Sequence, residues 1–322
     1  MKVKDITETD ENRRRAFLAK SVERTAELKK KIAEGEGPRW KHIVYSIHPV
    51  AWIQYIPQKI LAILFSVMGN YFGLVGRVPG VRKVHPWTRA ESNSATYLPI
   101  AENVEVPDNV PLPLELMDLI IETASHRVVF DCCICRTACN CKHYPAELGC
   151  MMFGDGAVKK EIMGNVGHEV GITEAKEYVR KAVSLGLIPS AVKAKADSYL
   201  FGFRDTGRVI VACFCCECCC IAKVFGKWNQ QVLDNFLLRV EGATIEISRE
   251  LCIGCEQCVE KCNMHAISIV NGKAVVNDKC RICSRCASVC STGAIKIALT
   301  DPDWVDKVYE RLLQYSEFRE GH

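Results

Sequence analysis

Six cysteines stand in the eight residues CFCCECCC at 213–220, and packing alone does not explain thiols crowded so closely. The 322-residue chain has twenty cysteines, and every one falls into one of four groups. The first is Cys132, Cys133, Cys135, Cys139, Cys141 and Cys150, and the second is Cys213, Cys215, Cys216, Cys218, Cys219 and Cys220. Cys252, Cys255, Cys258 and Cys262 form the third group, and Cys280, Cys283, Cys286 and Cys290 the fourth. The opening stretch MKVKDITETDENRRRAFLAK has neither the apolar region nor the small-residue cleavage site of a secretory signal. A cytoplasmic location is therefore expected, where thiols stay reduced. Clusters of cysteine there read as metal ligands or redox centres rather than disulfides.

The third and fourth groups carry the firmest inference. CIGCEQCVEKCNMHAISI and CRICSRCASVCSTGAIKI align cysteine on cysteine at an offset of 28 residues, with Ala266 on Ala294 and Ile267 on Ile295. Each reads C-x2-C-x2-C-x3-C, and over roughly 243–300 the chain resembles the bacterial ferredoxins that hold two [4Fe–4S] clusters. In that pattern the fourth cysteine of each run ligates the other cluster. Cluster one is then expected on Cys252, Cys255, Cys258 and Cys290, and cluster two on Cys280, Cys283, Cys286 and Cys262. The proline usual after the fourth cysteine is Asn263 in one half and Ser291 in the other, which leaves ligation intact but alters the local backbone. Paired C-x2-C units also bind zinc, but two matched runs of four favour cubes. Short β segments frame the repeat (ATIEIS, AISIV, KAVVN, AIKIAL), with Asn271-Gly272 as a hairpin turn.

The first two groups each follow an apolar strand-like run, RVVF and GRVIVACF, so their loops are expected to converge on shared metal. Between them Thr173 is placed to cap a helix with Ala175, Val179, Ala182 and Val183 on one face, ending at Gly186. Upstream, Leu114, Met117, Ile120, Ile121 and Ala124 mark a core-facing helix that starts near Pro113, and Trp228, Val232, Phe236 and Val240 mark another. The set VPLPLELMDLIIETASHRVVFDCCICR, CKHYPAELGC, GLIP and CFCCECCC, followed by the ferredoxin repeat, resembles anaerobe iron–sulfur proteins described as 4Fe–4S ferredoxins. That resemblance spans roughly 90–300 and implies electron transfer. It picks out Cys133, Cys135, Cys141 and Cys150 with Cys213, Cys215, Cys216, Cys218, Cys219 and Cys220 as ligands, leaving Cys132 and Cys139 as extras. Adjacent cysteine pairs also occur in heterodisulfide reductase-like domains, but the C-C-G signature of those is absent. The upstream thiols suit two ordinary [4Fe–4S] clusters, one unusual cluster, or zinc.

Other polar residues near the cysteines admit two readings each. Arg136 is placed either to hydrogen-bond cluster sulfur or to pair with Glu147 or Asp131. Glu217 is an oxygen ligand or a solvated carboxylate, and His143 and His265 are candidate ligands or proton donors. No Ser–His–Asp arrangement stands out. No G-x-G-x-x-G follows a strand, so nothing indicates nicotinamide or flavin.

The expected architecture is α+β, a cysteine-rich mixed α/β domain (91–242) followed by a two-[4Fe–4S] ferredoxin-type domain (243–300). A polar helical arm (1–42) and an apolar, aromatic segment with basic flanks (43–90) precede them, and an amphipathic helix (301–322) follows, docking Trp304, Val308 and Leu312. From Ile43 to Gly76 the one Lys, Arg, Asp or Glu is Lys59, so the segment suits a membrane surface, a partner subunit or an intrachain core. A net charge of +4 gives no case for nucleic acid. The expected function is a relay of single electrons between a low-potential donor and a partner redox enzyme or membrane carrier. The alternative is a catalytic iron–sulfur reductase of a disulfide or other small substrate at the cysteine-rich domain.

Overall fold

A computed structural model of the chain describes residues 93–99, 104–110, 112–139, 141–158, 167–194 and 207–320, together with Tyr71. The polar arm and nearly all of the apolar segment at 43–90 lie outside the described residues. No helix among the described residues is long and apolar enough to cross a membrane.

Seven strands build the larger sheet: β1 (Asn93–Tyr97), β3 (Arg127–Phe130), β4 (Met151–Phe153), β5 (Gly167–Glu169), β6 (Ile188–Ala194), β7 (Ile210–Cys215) and β8 (Leu237–Leu238). Their order is β5-β3-β4-β7-β6-β1-β8. Antiparallel pairing sets Val129 against Met151, Met151 against Ala212, and Ile188 against Cys215. The last residues of β3, the first of β4 and the last of β7 therefore share one end of the sheet. Both upstream cysteine groups leave from that end.

Helix α1 (Pro113–Thr123) begins with proline at a position whose N–H would have no intrahelical partner, and Glu115 reaches back to the Leu112 N–H at 2.8 Å. It buries Met117, Ile120 and Ile121 of the expected stripe together with Leu116, while Leu114 is only partly buried and Ala124, also buried, is the C-cap. Helix α3 (Ile172–Ser184) buries Ala175, Val179 and Ala182. Its N-cap is Gly171 rather than Thr173, which sits inside the first turn. A short helix α2 (Ile134–Ala138) lies within the first cysteine loop. The 3-10 segment Ile221–Lys227 and helix α4 (Gln230–Phe236) follow the second loop. Phe225, Trp228 and Phe236 pack their rings there with centroids 4.6, 4.9 and 5.4 Å apart. The helical run expected to reach Val240 ends at Phe236, because Leu237 and Leu238 turn to pair with β1.

Two small sheets make up the C-terminal module. β10 (Ile267–Val270) and β11 (Lys273–Val276) form the hairpin, with Asn271 and Gly272 both at positive φ (51° and 71°), as a two-residue type I′ turn requires. β12 (Ile295–Leu299) pairs with β9 (Ala243–Ile247) on one side and with β2 (Val104–Glu105) on the other. Thus an upstream strand completes the downstream sheet. The reverse exchange also occurs: helix α7 (Trp304–Tyr315) packs on α1, β1 and β6, and buries Trp304, Val305, Val308, Tyr309 and Leu312. Its Tyr309 hydroxyl donates to Thr123 Oγ1 at 2.7 Å. One apolar cluster runs from Leu116 through Phe214 and Ala266 to Ile297 and Trp304, so both halves share a core.

Candidate metal centres

All twenty cysteines are free thiols. In the C-terminal module each three-cysteine loop runs into a short helix, α5 (Gln257–Lys261) or α6 (Arg285–Ser288). The two loops repeat in conformation as well as in sequence. Gly254, Glu256 and His265 take φ of 68°, 65° and 49°, and their counterparts 28 residues on, Ile282, Ser284 and Gly293, take 49°, 63° and 66°. A β-branched residue with positive φ is a costly conformation, and it persists where the surroundings hold it. Here the Ile282 N–H points at Cys280 Sγ at 3.4 Å. Ala274 and Ala266 aim N–H groups at Cys252 Sγ and Cys262 Sγ, both at 3.3 Å. Amides turned toward sulfur stabilise the negative charge that a thiolate-bound cluster carries.

Cys252, Cys255, Cys258 and Cys290 line one cavity, with Ile269, Ala274, Val289 and Ile295 among its apolar walls. Three of those cysteines come from the first run and one from the second. Cys262 sits with the other set, close enough for its charge to oppose ionisation of Cys280, Cys283 and Cys286, whose thiols are pushed up by burial first. A walled cavity with four thiols and inward amides fits a [4Fe–4S] cube in the first set, and the grouping in the second is its counterpart.

The upstream thiols gather where β3, β4 and β7 end. Cys141, Cys216, Cys218 and Cys219 have all four sulfurs within 4.8 Å of one another. Donation from Cys141, Cys218 and Cys219 holds the Cys216 thiol far below its usual range. The other sulfurs meet in pairs: Cys150 with Cys213 at 3.6 Å, and Cys215 with Cys220 at 3.2 Å. The Cys135 thiol donates to Cys133 and, against burial and with help from Arg136, draws it down to about 6. Cys132 is different. It is buried, which pushes its thiol up to about 12, and its contact is the Thr137 hydroxyl at 3.3 Å. Cys139 is exposed, with its sulfur 3.8 Å from the Cys219 carbonyl oxygen.

Arg136 is 1% exposed and donates to the carbonyl oxygens of Pro145 (2.9 Å), Phe214 (2.8 Å) and Leu148. The guanidinium fork therefore pins one cysteine loop to the other through backbone, a role the sequence reading did not foresee. Its fixed charge also lies near Cys133, Cys216, Cys150 and Cys135, where it offsets thiolate charge.

Glu217 is not a solvated carboxylate, and protein donors occupy both of its oxygens. Its side chain is 13% exposed and accepts from Lys261 Nζ (2.6 Å), Arg285 Nη1 (2.8 Å) and the Tyr144 hydroxyl (2.8 Å). Burial opposes its ionisation, but hydrogen bonds from Lys261 and Tyr144 and the Arg285 charge hold its carboxyl below the usual range. Arg285 also donates to the Cys215 carbonyl at 2.8 Å, and Asn263 Nδ2 donates to the Cys216 carbonyl at 3.2 Å. Lys261, Asn263 and Arg285 each adjoin a cysteine of the second ferredoxin set, Cys262 or Cys286. The asparagine in place of the usual proline thus has a partner across the junction. Gly226 closes the same seam, since a Cβ there would stand 2.8 Å from the Asn263 and Met264 carbonyl oxygens. His143 is exposed. His265 is also exposed, at the backbone position that Gly293 fills in the other half.

No protein-family model matches the chain, and no solved structure matches it. Two curated proteins are similar to parts of it. An uncharacterized ferredoxin of Methanocaldococcus jannaschii is 40% identical over 57 residues, which is 16% of this chain and 92% of that one. The thiosulfate reductase electron transfer subunit PhsB of Salmonella typhi is 30% identical over 79 residues, 21% of this chain. The match spans 41% of that subunit's own length.

Proposed function

The chain belongs to the ferredoxins, and from that premise we propose that it relays single electrons between two ferredoxin [4Fe–4S] clusters and further metal held by its upstream thiols. Cys252, Cys255, Cys258 and Cys290 would hold cluster one, and Cys262, Cys280, Cys283 and Cys286 cluster two. When bound, such clusters supply one-electron chemistry, and the residues set their spacing, shielding and charge. Cluster one lies toward solvent, beside exposed Cys255 and Ile253, the latter 67% exposed. That edge is the entry for an external redox partner. The set around Cys262 and Cys283 faces the upstream cysteines, and electrons pass from there to a partner redox enzyme or membrane carrier.

The observation that carries this reading is the junction at Glu217. A carboxylate inside the upstream thiol run binds Lys261 and Arg285 of the ferredoxin loops, while Arg285 binds the Cys215 carbonyl. Two cysteine-rich regions are thereby held together by charge-assisted hydrogen bonds, the one from Arg285 buried and the one from Lys261 at the surface, which is the close approach a relay needs. Stopped-flow reduction of the metal-loaded chain tests it. Rapid reduction of the ferredoxin chromophore followed by a resolved upstream phase, unaffected by disulfides, is the expected result. An upstream phase that appears only with an added disulfide would overturn the relay in favour of a catalytic reductase.

A further inference from the structure

The twelve upstream thiols are not arranged alike. Four of them, Cys141, Cys216, Cys218 and Cys219, form a compact tetrad with every sulfur within 4.8 Å of the others. Cys141 and Cys218 are 3.5 Å apart. Four thiolates on one tetrahedral ion with metal–sulfur bonds of about 2.3 Å lie about 3.8 Å apart. A cube seats each cysteine on a different iron, so its ligand sulfurs are spread by the width of the metal core. The two ferredoxin sets provide the comparison within the same molecule: among the described residues neither closes to this compactness, and the upstream tetrad does.

Local spacing agrees. Cys216 and Cys219 make a C-x2-C unit, and the Cys219 N–H folds back onto Cys216 Sγ at 3.3 Å. Short C-x2-C units of this kind supply two corners of structural tetrathiolate sites. Cys218 adds a third corner from the same turn. Cys141 arrives from the other loop, so one ion would fasten the two loops that Arg136 already joins through their carbonyls. Cys133, Cys135, Cys150, Cys213, Cys215 and Cys220 are left for the iron–sulfur cluster proper.

We propose that Cys141, Cys216, Cys218 and Cys219 hold a single thiophilic divalent ion, zinc or a lone iron, in a closed tetrathiolate site, and not a cube. The ion ties the cysteine loops together in either case, and as zinc it takes no part in electron transfer. The proposal rests on the reading of these thiols as metal ligands, and the test separates the two.

The full chain, purified without oxygen, is assayed for iron, zinc and acid-labile sulfide beside a Cys216→Ala/Cys218→Ala variant. The expected variant loses one zinc or one iron per chain, with labile sulfide and the ferredoxin EPR signals unchanged; the metal lost distinguishes zinc from lone iron. Loss of about four irons with matching sulfide would mean a cube and overturn the proposal while leaving the relay standing. A wild-type chain without iron or sulfide would overturn the relay itself. Should the variant fail to fold, the intact chain decides. Zinc with four sulfur neighbours at about 2.3 Å in its X-ray absorption, or a one-iron tetrathiolate component in the Mössbauer spectrum, supports the single ion. Absence of both overturns it.

Discussion

The two cysteine-bearing regions gather their thiols by opposite means. In the C-terminal module a duplicated loop repeats at 28 residues, down to the positive φ of Gly254 and Ile282, Glu256 and Ser284, His265 and Gly293. Its cysteines are set by local backbone, and one cavity is lined by three from the first loop and one from the second. In the upstream region no repeat exists. Cysteines there come from loops that sheet pairing brings together, through β3, β4 and β7, and Arg136 then locks the loops by their carbonyls. The difference is that thiols spaced within one loop are placed by a few neighbouring residues, whereas those on convergent loops are placed by the pairing of strands far apart in the chain.

Cross-ligation is the sharpest point at which to break this comparison. Cys290→Ser should remove the same cluster as Cys252→Ser, about four irons of the ferredoxin eight, and give matching EPR spectra. Were Cys290→Ser to resemble Cys280→Ser instead, each loop would hold its own cluster. Next in size is the junction. Glu217→Gln leaves the Arg285 charge buried with a neutral partner, and breaking such a pair costs about 3–5 kcal/mol. Denaturant unfolding should show that loss, and the upstream phase of reduction should slow while the ferredoxin phase does not. A smaller effect is expected at the seam beside it. Gly226→Ala presses a methyl onto the Asn263 and Met264 carbonyls, and overpacking of this kind costs about 1–3 kcal/mol. An unchanged unfolding midpoint would show that the seam is loose.

Much of the downstream module was legible because its signals are short-range. The C-x2-C-x2-C-x3-C spacing, the Asn271-Gly272 turn and the alternation in AIKIAL each specify structure within a few residues. The Pro113 helix start and the stripes of α1 and α3 were readable for the same reason. What could not be read depends on contacts far apart in the chain. Glu217 sits among cysteines, and nothing nearby announces that Lys261 and Arg285 will meet it. The same holds for Val104 and Glu105, which join β12, and for Trp304, whose helix returns to the upstream core. Arg136 admits a sulfur or a carboxylate partner in the sequence, and its hydrogen-bond partners are backbone carbonyls that no side-chain pattern reveals. Asn263 was visible as a departure from the family, and its partner, the Cys216 carbonyl, was not.

The central claim is that these thiols hold iron–sulfur clusters in electronic contact. Low-temperature EPR during an anaerobic redox titration of the intact chain, with iron and labile sulfide counted on the same sample, tests it most directly. The account predicts at least about eight irons from two [4Fe–4S] clusters, additional upstream metal, and signals broadened by coupling between neighbouring reduced centres. A colourless chain lacking labile sulfide, or one whose reduced clusters show no mutual coupling, would contradict it.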